Sequence, residues 1–140
     1  KKSSFSQRSV PTAKTDMKAK RVLVFGTFDG LHPGHLFFLR SAKAQGTVLL
    51  VAVARDAHVI LLKEKRPTTM EMKRLAAIKQ LAFVDEAYLC DEELGTYSII
   101  VTAKPDMIVL GHDQQAMEKD LIRWMADNNQ YIPMFRIQKV

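Results

Sequence analysis

The most concentrated group of chemically useful side chains lies in one ten-residue segment, 26–35, which reads Gly-Thr-Phe-Asp-Gly-Leu-His-Pro-Gly-His. It follows a short apolar run and leads into a helical pattern, so it predicts a strand-to-helix turn. Free amides at a helix start, aided by the helix dipole, attract an anion. His32 and His35 are three residues apart and can face the same anion, while Gly26 leaves space for a close ligand. The segment therefore predicts a phosphate site.

Other interpretations of this segment are weaker. No cysteine, histidine or acidic cluster nearby completes a zinc shell around the two histidines. The Gly-Lys-Ser/Thr ending of a Walker A loop is absent, and so is the Gly-x-Gly-x-x-Gly dinucleotide turn. The histidines could serve only to cap the helix, but two of them in one glycine-rich turn favour the phosphate role.

A second group, residues 63–66, places three cations within four positions, in the order Lys-Glu-Lys-Arg. It precedes a long helical pattern, and its charges could converge on a pyrophosphate group as that group leaves. A solvated basic loop is the alternative.

The remaining chain alternates short apolar runs with longer helical patterns. Strands are predicted at 21–25, 48–54, 87–89, 107–110 and 133–137, and helices at 34–45, 69–83, 97–103 and 115–128. Strands that are apolar throughout must be covered on both faces, which indicates a parallel sheet between helices. The fold class is therefore α/β, a doubly wound, Rossmann-like, three-layer sandwich of about five parallel strands. Ligands of such sheets bind beyond the carboxyl ends of the strands, near the switch in strand order.

The helix predicted at 69–83 has two further expected features. Thr68 or Thr69 is its expected N-cap. Four side chains form its expected inward stripe, namely Leu75, Ile78, Leu81 and Ala82.

The net charge of +6 comes mostly from residues 1–20, which hold six basic residues and one acid, against fifteen and fourteen in residues 21–140. Residues 1–20 are expected to be a disordered arm, a linker or a foreign segment, with Met17 as a candidate natural start. Residues 21–140 form the one expected domain, and its near-neutral charge argues against nucleic-acid binding.

The location of the protein is also constrained. A single cysteine, Cys90, allows no intramolecular disulfide and favours a reducing, cytoplasmic location. No apolar run reaches the roughly 18 residues of a membrane span, so no membrane partner is expected.

The segment 26–35 resembles the His-x-Gly-His signature of the cytidylyltransferase-like nucleotidyltransferases, and the likeness extends from residue 21 to about 137. Within that family the sequence is most similar to archaeal-type FAD synthases. The segments that carry this likeness are 53–56 (Val-Ala-Arg-Asp), 63–67 (Lys-Glu-Lys-Arg-Pro) and 105–114, which ends in Gly-His-Asp-Gln.

The resemblance implies transfer of a nucleoside monophosphate from ATP or CTP to FMN, giving FAD and pyrophosphate, with Mg²⁺ as cofactor and a homodimer as assembly. Its implied catalytic residues are His32, His35 and Lys63. Its implied nucleotide-binding residues are Gly26, Thr27, Phe28, His32, His35, Lys63, Lys65, Arg74, Gly111 and Asp113. Asp29 either orients the loop or approaches Mg²⁺; the metal ligands stay unassigned.

Two departures from the family keep alternatives open. Ala82 stands where a second arginine is common, and the sequence reaches Val140 before the Ser/Thr-rich motif that usually follows the last strand. One alternative is a cytidylyltransferase acting on glycerol 3-phosphate or another small alcohol phosphate. The other is an inactive nucleotide-binding module.

Overall fold

The computed structural model describes residues 20–138, which are built around one sheet of five strands. The strands are β1 Arg21–Gly26, β2 Val48–Val53, β3 Glu86–Leu89, β4 Met107–Leu110 and β5 Met134–Arg136. They lie in the order β3-β2-β1-β4-β5, and every pair is parallel. The predicted Rossmann-like sheet is confirmed. The arm predicted for residues 1–20 lies, except for Lys20, outside the described residues.

Within residues 20–138 five helices flank the sheet: α1 Pro33–Lys43, α2 Asp56–Lys63, α3 Glu71–Lys79, α4 Ser98–Ala103 and α5 Gln115–Asp127. Successive strand residues point to opposite faces. In β1, Val22 and Val24 are buried in one core cluster with residues of α1 and α3. Leu23 and Phe25 are buried in a second cluster with residues of α4 and α5. The result is the three-layer sandwich that the apolar strands predict.

Helix α2 was not predicted from the sequence, because its eight residues lack a clear helical period. His58 and Val59 are buried, whereas Leu61 and Leu62 are exposed apolar residues. A short apolar segment of this kind does not distinguish a helix from a loop by pattern alone.

The predicted limits of the third helix were wrong at both ends. Its N-cap is Met70 and not Thr68 or Thr69. Both threonines lie in the preceding loop, where their backbone N–H groups donate to the Asp29 carboxylate. The helix ends at Lys79. In the turns that follow it Ala82 is exposed, so Ala82 does not belong to the inward stripe.

The switch in strand order falls between β1 and β4, and one side chain joins their carboxyl ends. The Gln114 amide nitrogen donates to the Phe25 carbonyl at 3.0 Å, and its oxygen accepts from the Gly111 N–H at 2.8 Å. The loop after β4 is thereby fixed against the end of β1. Within residues 20–138 no helix combines the length and apolar character that a membrane span requires.

Candidate active site

A pocket of about 230 Å³ lies at the carboxyl end of the sheet, between two walls. One wall is the loop from β1 to the start of α1. The other is the second half of α2 and the loop behind it. The residues that line the pocket are Thr27, Asp29, His32, His35, Val59, Lys63, Lys65, Arg66 and Pro67. The two sequence segments that predicted a phosphate site therefore face the same pocket.

The two histidines cap the start of α1 and hold each other in place. His32 is the N-cap, and its Nδ1 accepts from the Gly34 N–H at 3.1 Å. His35 Nδ1 accepts from the His32 N–H at 3.2 Å. The two rings are stacked, with centroids 3.7 Å apart and planes 20° apart. Because Nδ1 of each ring accepts a backbone N–H, the ring proton lies on Nε2, which is available as a donor.

The protonation state of His35 is biased by its surroundings. Burial lowers the pKa of His35, and the neighbouring His32 and Lys63 lower it further, while Asp29 opposes them. A desolvated imidazole beside a cation such as Lys63 loses its proton more readily. His35 is therefore neutral in the free site near pH 7 and still offers its Nε2–H to an anion.

Phe28 supports the histidine loop from inside the protein. It is buried in a left-handed backbone conformation, with φ of 53°, and its ring packs against His35 and Phe38. The ring also explains Gly26, because a Cβ at that position would lie 2.6 Å from it. Both residues shape the loop.

The opposite wall carries the cations. Lys63 ends α2, and its Nζ lies 3.4 Å from the Thr27 hydroxyl oxygen, so it reaches across the pocket. Glu64 ends the helix in the left-handed conformation and turns the chain toward Lys65 and Arg66. Lys63, Lys65 and Arg66 are all exposed and line the pocket, as a triphosphate site requires.

Asp29 ties the two walls together. Its carboxylate accepts the backbone N–H groups of Thr68 and Thr69 at 2.7 and 2.9 Å. Desolvation works against the charged form, but these hydrogen bonds outweigh it and lower the pKa of Asp29 below its usual range. Of the two roles left open for Asp29, the structure favours loop orientation. In the described part of the chain no group of three or more His, Cys, Asp or Glu side chains could hold a metal ion.

The predicted site residues divide into two groups. Thr27, His32, His35, Lys63 and Lys65 line the pocket. The others lie outside its lining, namely Gly26, Phe28, Arg74, Gly111 and Asp113. Their contact with a nucleotide stays a prediction.

Gly111 and Asp113 lie in the loop after β4, at the switch point. An added Cβ at Gly111 would lie 3.3 Å from the Asp113 carboxylate, so the two residues are close neighbours. Asp113 does not cap the helix that follows, since the N-cap of α5 is Gln114.

Two residues at the site were not singled out from the sequence. Val59 lines the pocket, and its helix was missed. Gln114 joins β1 to the β4 loop, and the sequence signal for it was its place at the end of the Gly-x-Asp-Gln segment.

Comparison with known proteins identifies the class. The model of the cytidylyltransferase-like family matches residues 23–136. The chain belongs to this family, and the predicted enzyme class, a nucleotidyltransferase, is confirmed.

Similar proteins narrow the class further. An FAD synthase of Methanohalophilus mahii is 45% identical over 101 residues, which cover 72% of this chain and 69% of that protein. An FAD synthase of Archaeoglobus fulgidus is 40% identical over 113 residues, covering 81% of this chain and 80% of that one. Among solved structures, a lipopolysaccharide core biosynthesis protein from Thermoplasma volcanium matches with a TM-score of 0.79 and 36% identity. That match covers 88% of this chain and 99% of the other. The predicted likeness to archaeal-type FAD synthases is confirmed.

Proposed function

We propose that this protein is an FAD synthase, which transfers the adenylyl group of ATP to FMN and releases pyrophosphate. The observation that carries this proposal is the pocket in which the His32–His35 pair faces the Lys63, Lys65 and Arg66 cations. Its support on the acceptor side is the similarity to FAD synthases over most of the chain. Of the two donors expected from the sequence, ATP is the one that fits, because the adenosine of FAD must come from it.

The reaction is a single in-line displacement. An oxygen of the FMN phosphate forms a bond to the α-phosphorus of ATP. The bond from that phosphorus to the α–β bridging oxygen breaks, and pyrophosphate leaves with the electron pair. No protein nucleophile is required, so catalysis consists of positioning and of stabilising charge.

The pocket residues divide this work between its two walls. His32 and His35 donate their Nε2–H groups to the α-phosphate oxygens as negative charge builds there. Lys63 and Lys65, with Arg66 beside them, bind the β and γ oxygens and stabilise the departing pyrophosphate. Because the donors are fixed before substrate binds, little reorganisation is needed during the transfer.

Mg²⁺ enters this proposal as part of the substrate. Among the described residues no group of three or more His, Cys, Asp or Glu side chains could hold the ion. Mg²⁺ commonly binds through substrate phosphates while keeping several waters. We therefore propose that it arrives bound to ATP.

The remaining proposals concern the assembly of the protein, its location, and the residues that contact the nucleoside part of the nucleotide. We propose a cytoplasmic homodimer. We also propose that Gly111 and Asp113, at the switch point, contact the nucleoside part of the bound nucleotide, where ligands of doubly wound sheets bind.

The test is an incubation of the protein with magnesium, each of ATP and CTP, and each of FMN and glycerol 3-phosphate. Products are separated by chromatography, and pyrophosphate is measured separately. FAD and pyrophosphate in equal amounts from ATP and FMN support the proposal. Triphosphate binding without any product in all four combinations would indicate an inactive nucleotide-binding module.

One observation favours a second candidate within the same class. The matching family is described as cytidylyltransferase-like, and the similar structure from Thermoplasma volcanium is named for lipopolysaccharide core biosynthesis. A cytidylyltransferase acting on a small alcohol phosphate would produce its CMP derivative from CTP and make no FAD. The same incubation separates this candidate from FAD synthesis.

A further inference from the structure

Arg74 is a charged side chain inside the protein and outside the pocket lining. It lies on α3 and is 1% exposed. Burying a guanidinium is costly unless its N–H groups find acceptors. All three of its nitrogens do: Nε donates to the Thr69 carbonyl at 2.8 Å, Nη1 to the Thr27 carbonyl at 2.9 Å, and Nη2 to the Asp56 carboxylate at 2.6 Å. These acceptors satisfy its charge and fix its position.

The three acceptors belong to three different segments of the pocket wall. Thr27 lies in the histidine loop. Asp56 is the first residue of α2, the helix whose last residue is Lys63. Thr69 follows the 63–67 segment, in which every residue except Glu64 lines the pocket. One guanidinium therefore joins all of the segments that carry the predicted phosphate contacts.

Two further contacts tighten this junction. The Asp29 carboxylate accepts from the N–H groups of Thr68 and Thr69, which links the histidine loop to the same segment a second time. At the base of α2, the Asp56 N–H donates to the Glu71 carboxylate at 2.7 Å, and the Glu71 N–H donates to the Asp56 carboxylate at 3.2 Å. Helices α2 and α3 thus cap each other where Arg74 binds Asp56.

We propose that Arg74, together with Asp29, is a positioning residue that sets the gap between the two imidazoles and the Lys63–Arg66 cations before substrate binds. Arg74 contacts no phosphate. Its planar, divergent N–H groups reach three acceptors at once, which the single ammonium of a lysine does not reproduce. The effect on transfer rests on the proposed function, whereas the effect on the ligand-free protein does not.

The decisive experiment compares Arg74→Lys with Lys73→Met, which removes an exposed cation from the same helix. Hydrogen exchange is measured on the ligand-free proteins. Arg74→Lys is expected to speed exchange of the amides in 27–31 and 68–69 by roughly tenfold or more, since their cross-link is weakened. Lys73→Met is expected to leave exchange unchanged. A direct phosphate ligand would behave differently: Arg74→Lys would keep the wild-type exchange pattern and weaken ATP binding as much as Lys63→Met does. That outcome overturns the proposal.

Asp29→Asn keeps the proposal testable if Arg74→Lys does not fold, because Asp29 is near the surface. Each threonine amide donates to a different oxygen of the Asp29 carboxylate, and asparagine places a donating NH2 group in place of one of these oxygens. The Thr68 and Thr69 amides are expected to exchange faster in the ligand-free protein. FAD formation is expected to show kcat reduced by about tenfold or more, with KM for ATP changed far less, because misplacement affects the transfer step. Unchanged exchange and unchanged kcat would refute the positioning role. If exchange becomes faster in Asp29→Asn as expected but the wild-type protein makes no FAD, the proposed function alone is refuted.

Discussion

Replacing His32 by asparagine separates its role as the N-cap of α1 from its proposed role as a donor to the α-phosphate. Asparagine is among the best N-cap residues, and its side-chain oxygen can accept the Gly34 N–H that Nδ1 of His32 accepts. The change removes the Nε2–H of His32, which lines the pocket. We therefore expect the free energy of unfolding to change by less than about 0.5 kcal/mol. Loss of one donor to a developing charge reduces kcat by roughly 10²–10³-fold, or about 3–4 kcal/mol of transition-state stabilisation.

The matched variant is His32→Gln, which can keep the donor group but loses the helix cap. A glutamine amide nitrogen can occupy the position of Nε2, but glutamine is a poor N-cap, so the helix start is expected to lose about 1 kcal/mol. That loss corresponds to a fall in Tm of about 4 °C for a domain of this size. Steady-state FAD formation and thermal unfolding are measured on both variants. The reasoning is refuted if His32→Asn retains wild-type kcat, or if kcat falls in proportion to stability in both.

Three further predictions concern neighbouring groups of the site. Gly26→Ala forces a Cβ to within 2.6 Å of the Phe28 ring, and it should reduce stability by about 1–3 kcal/mol in thermal unfolding; an unchanged Tm would contradict this packing. Burial lowers the pKa of His35, so the unfolded chain binds that proton more readily. The stability that His35 contributes is present above pH 6.5 and is lost as the pH falls below that value. In denaturant titrations from pH 7.5 to 5, the free energy of unfolding should therefore depend less on pH in His35→Gln than in the wild type. Lys63→Met should raise KM for ATP by roughly tenfold or more, because it removes a pocket charge that is proposed to bind the triphosphate, whereas Lys73→Met should not; equal effects would deny Lys63 a specific role.

The architecture and the two main segments of the pocket, the histidine loop and the Lys63–Arg66 cations, could be predicted from the sequence because they depend on local patterns. Strands β1 and β2 are apolar at nearly every position, which requires helices on both faces of a parallel sheet. In such a sheet the segments after β1 and β2 emerge at one edge. The histidine loop and the Lys63–Arg66 cations were therefore expected to lie together, and they do.

The rest depends on contacts between residues far apart in the sequence. Arg74 reaches Thr27, 47 residues away, and Asp56, 18 residues away, and nothing local marks it as buried. Helix α2 is short, with exposed apolar residues that obscure its period. Thr68 and Thr69 resemble helix caps, but their N–H groups are engaged by Asp29 from another loop. In each case a tertiary contact overrides the local pattern.

The most direct test of the central claim is a single-turnover reaction of FMN with the magnesium complex of ATP, in wild-type protein and in the His32→Asn variant. FAD and pyrophosphate are quantified at each time point. The expected result is stoichiometric FAD and pyrophosphate from the wild type, and a rate constant reduced by roughly 10²–10³-fold in the folded variant. Absence of FAD from the wild type, or equal rate constants in the two proteins, would contradict the assignment of this pocket as the site of adenylyl transfer.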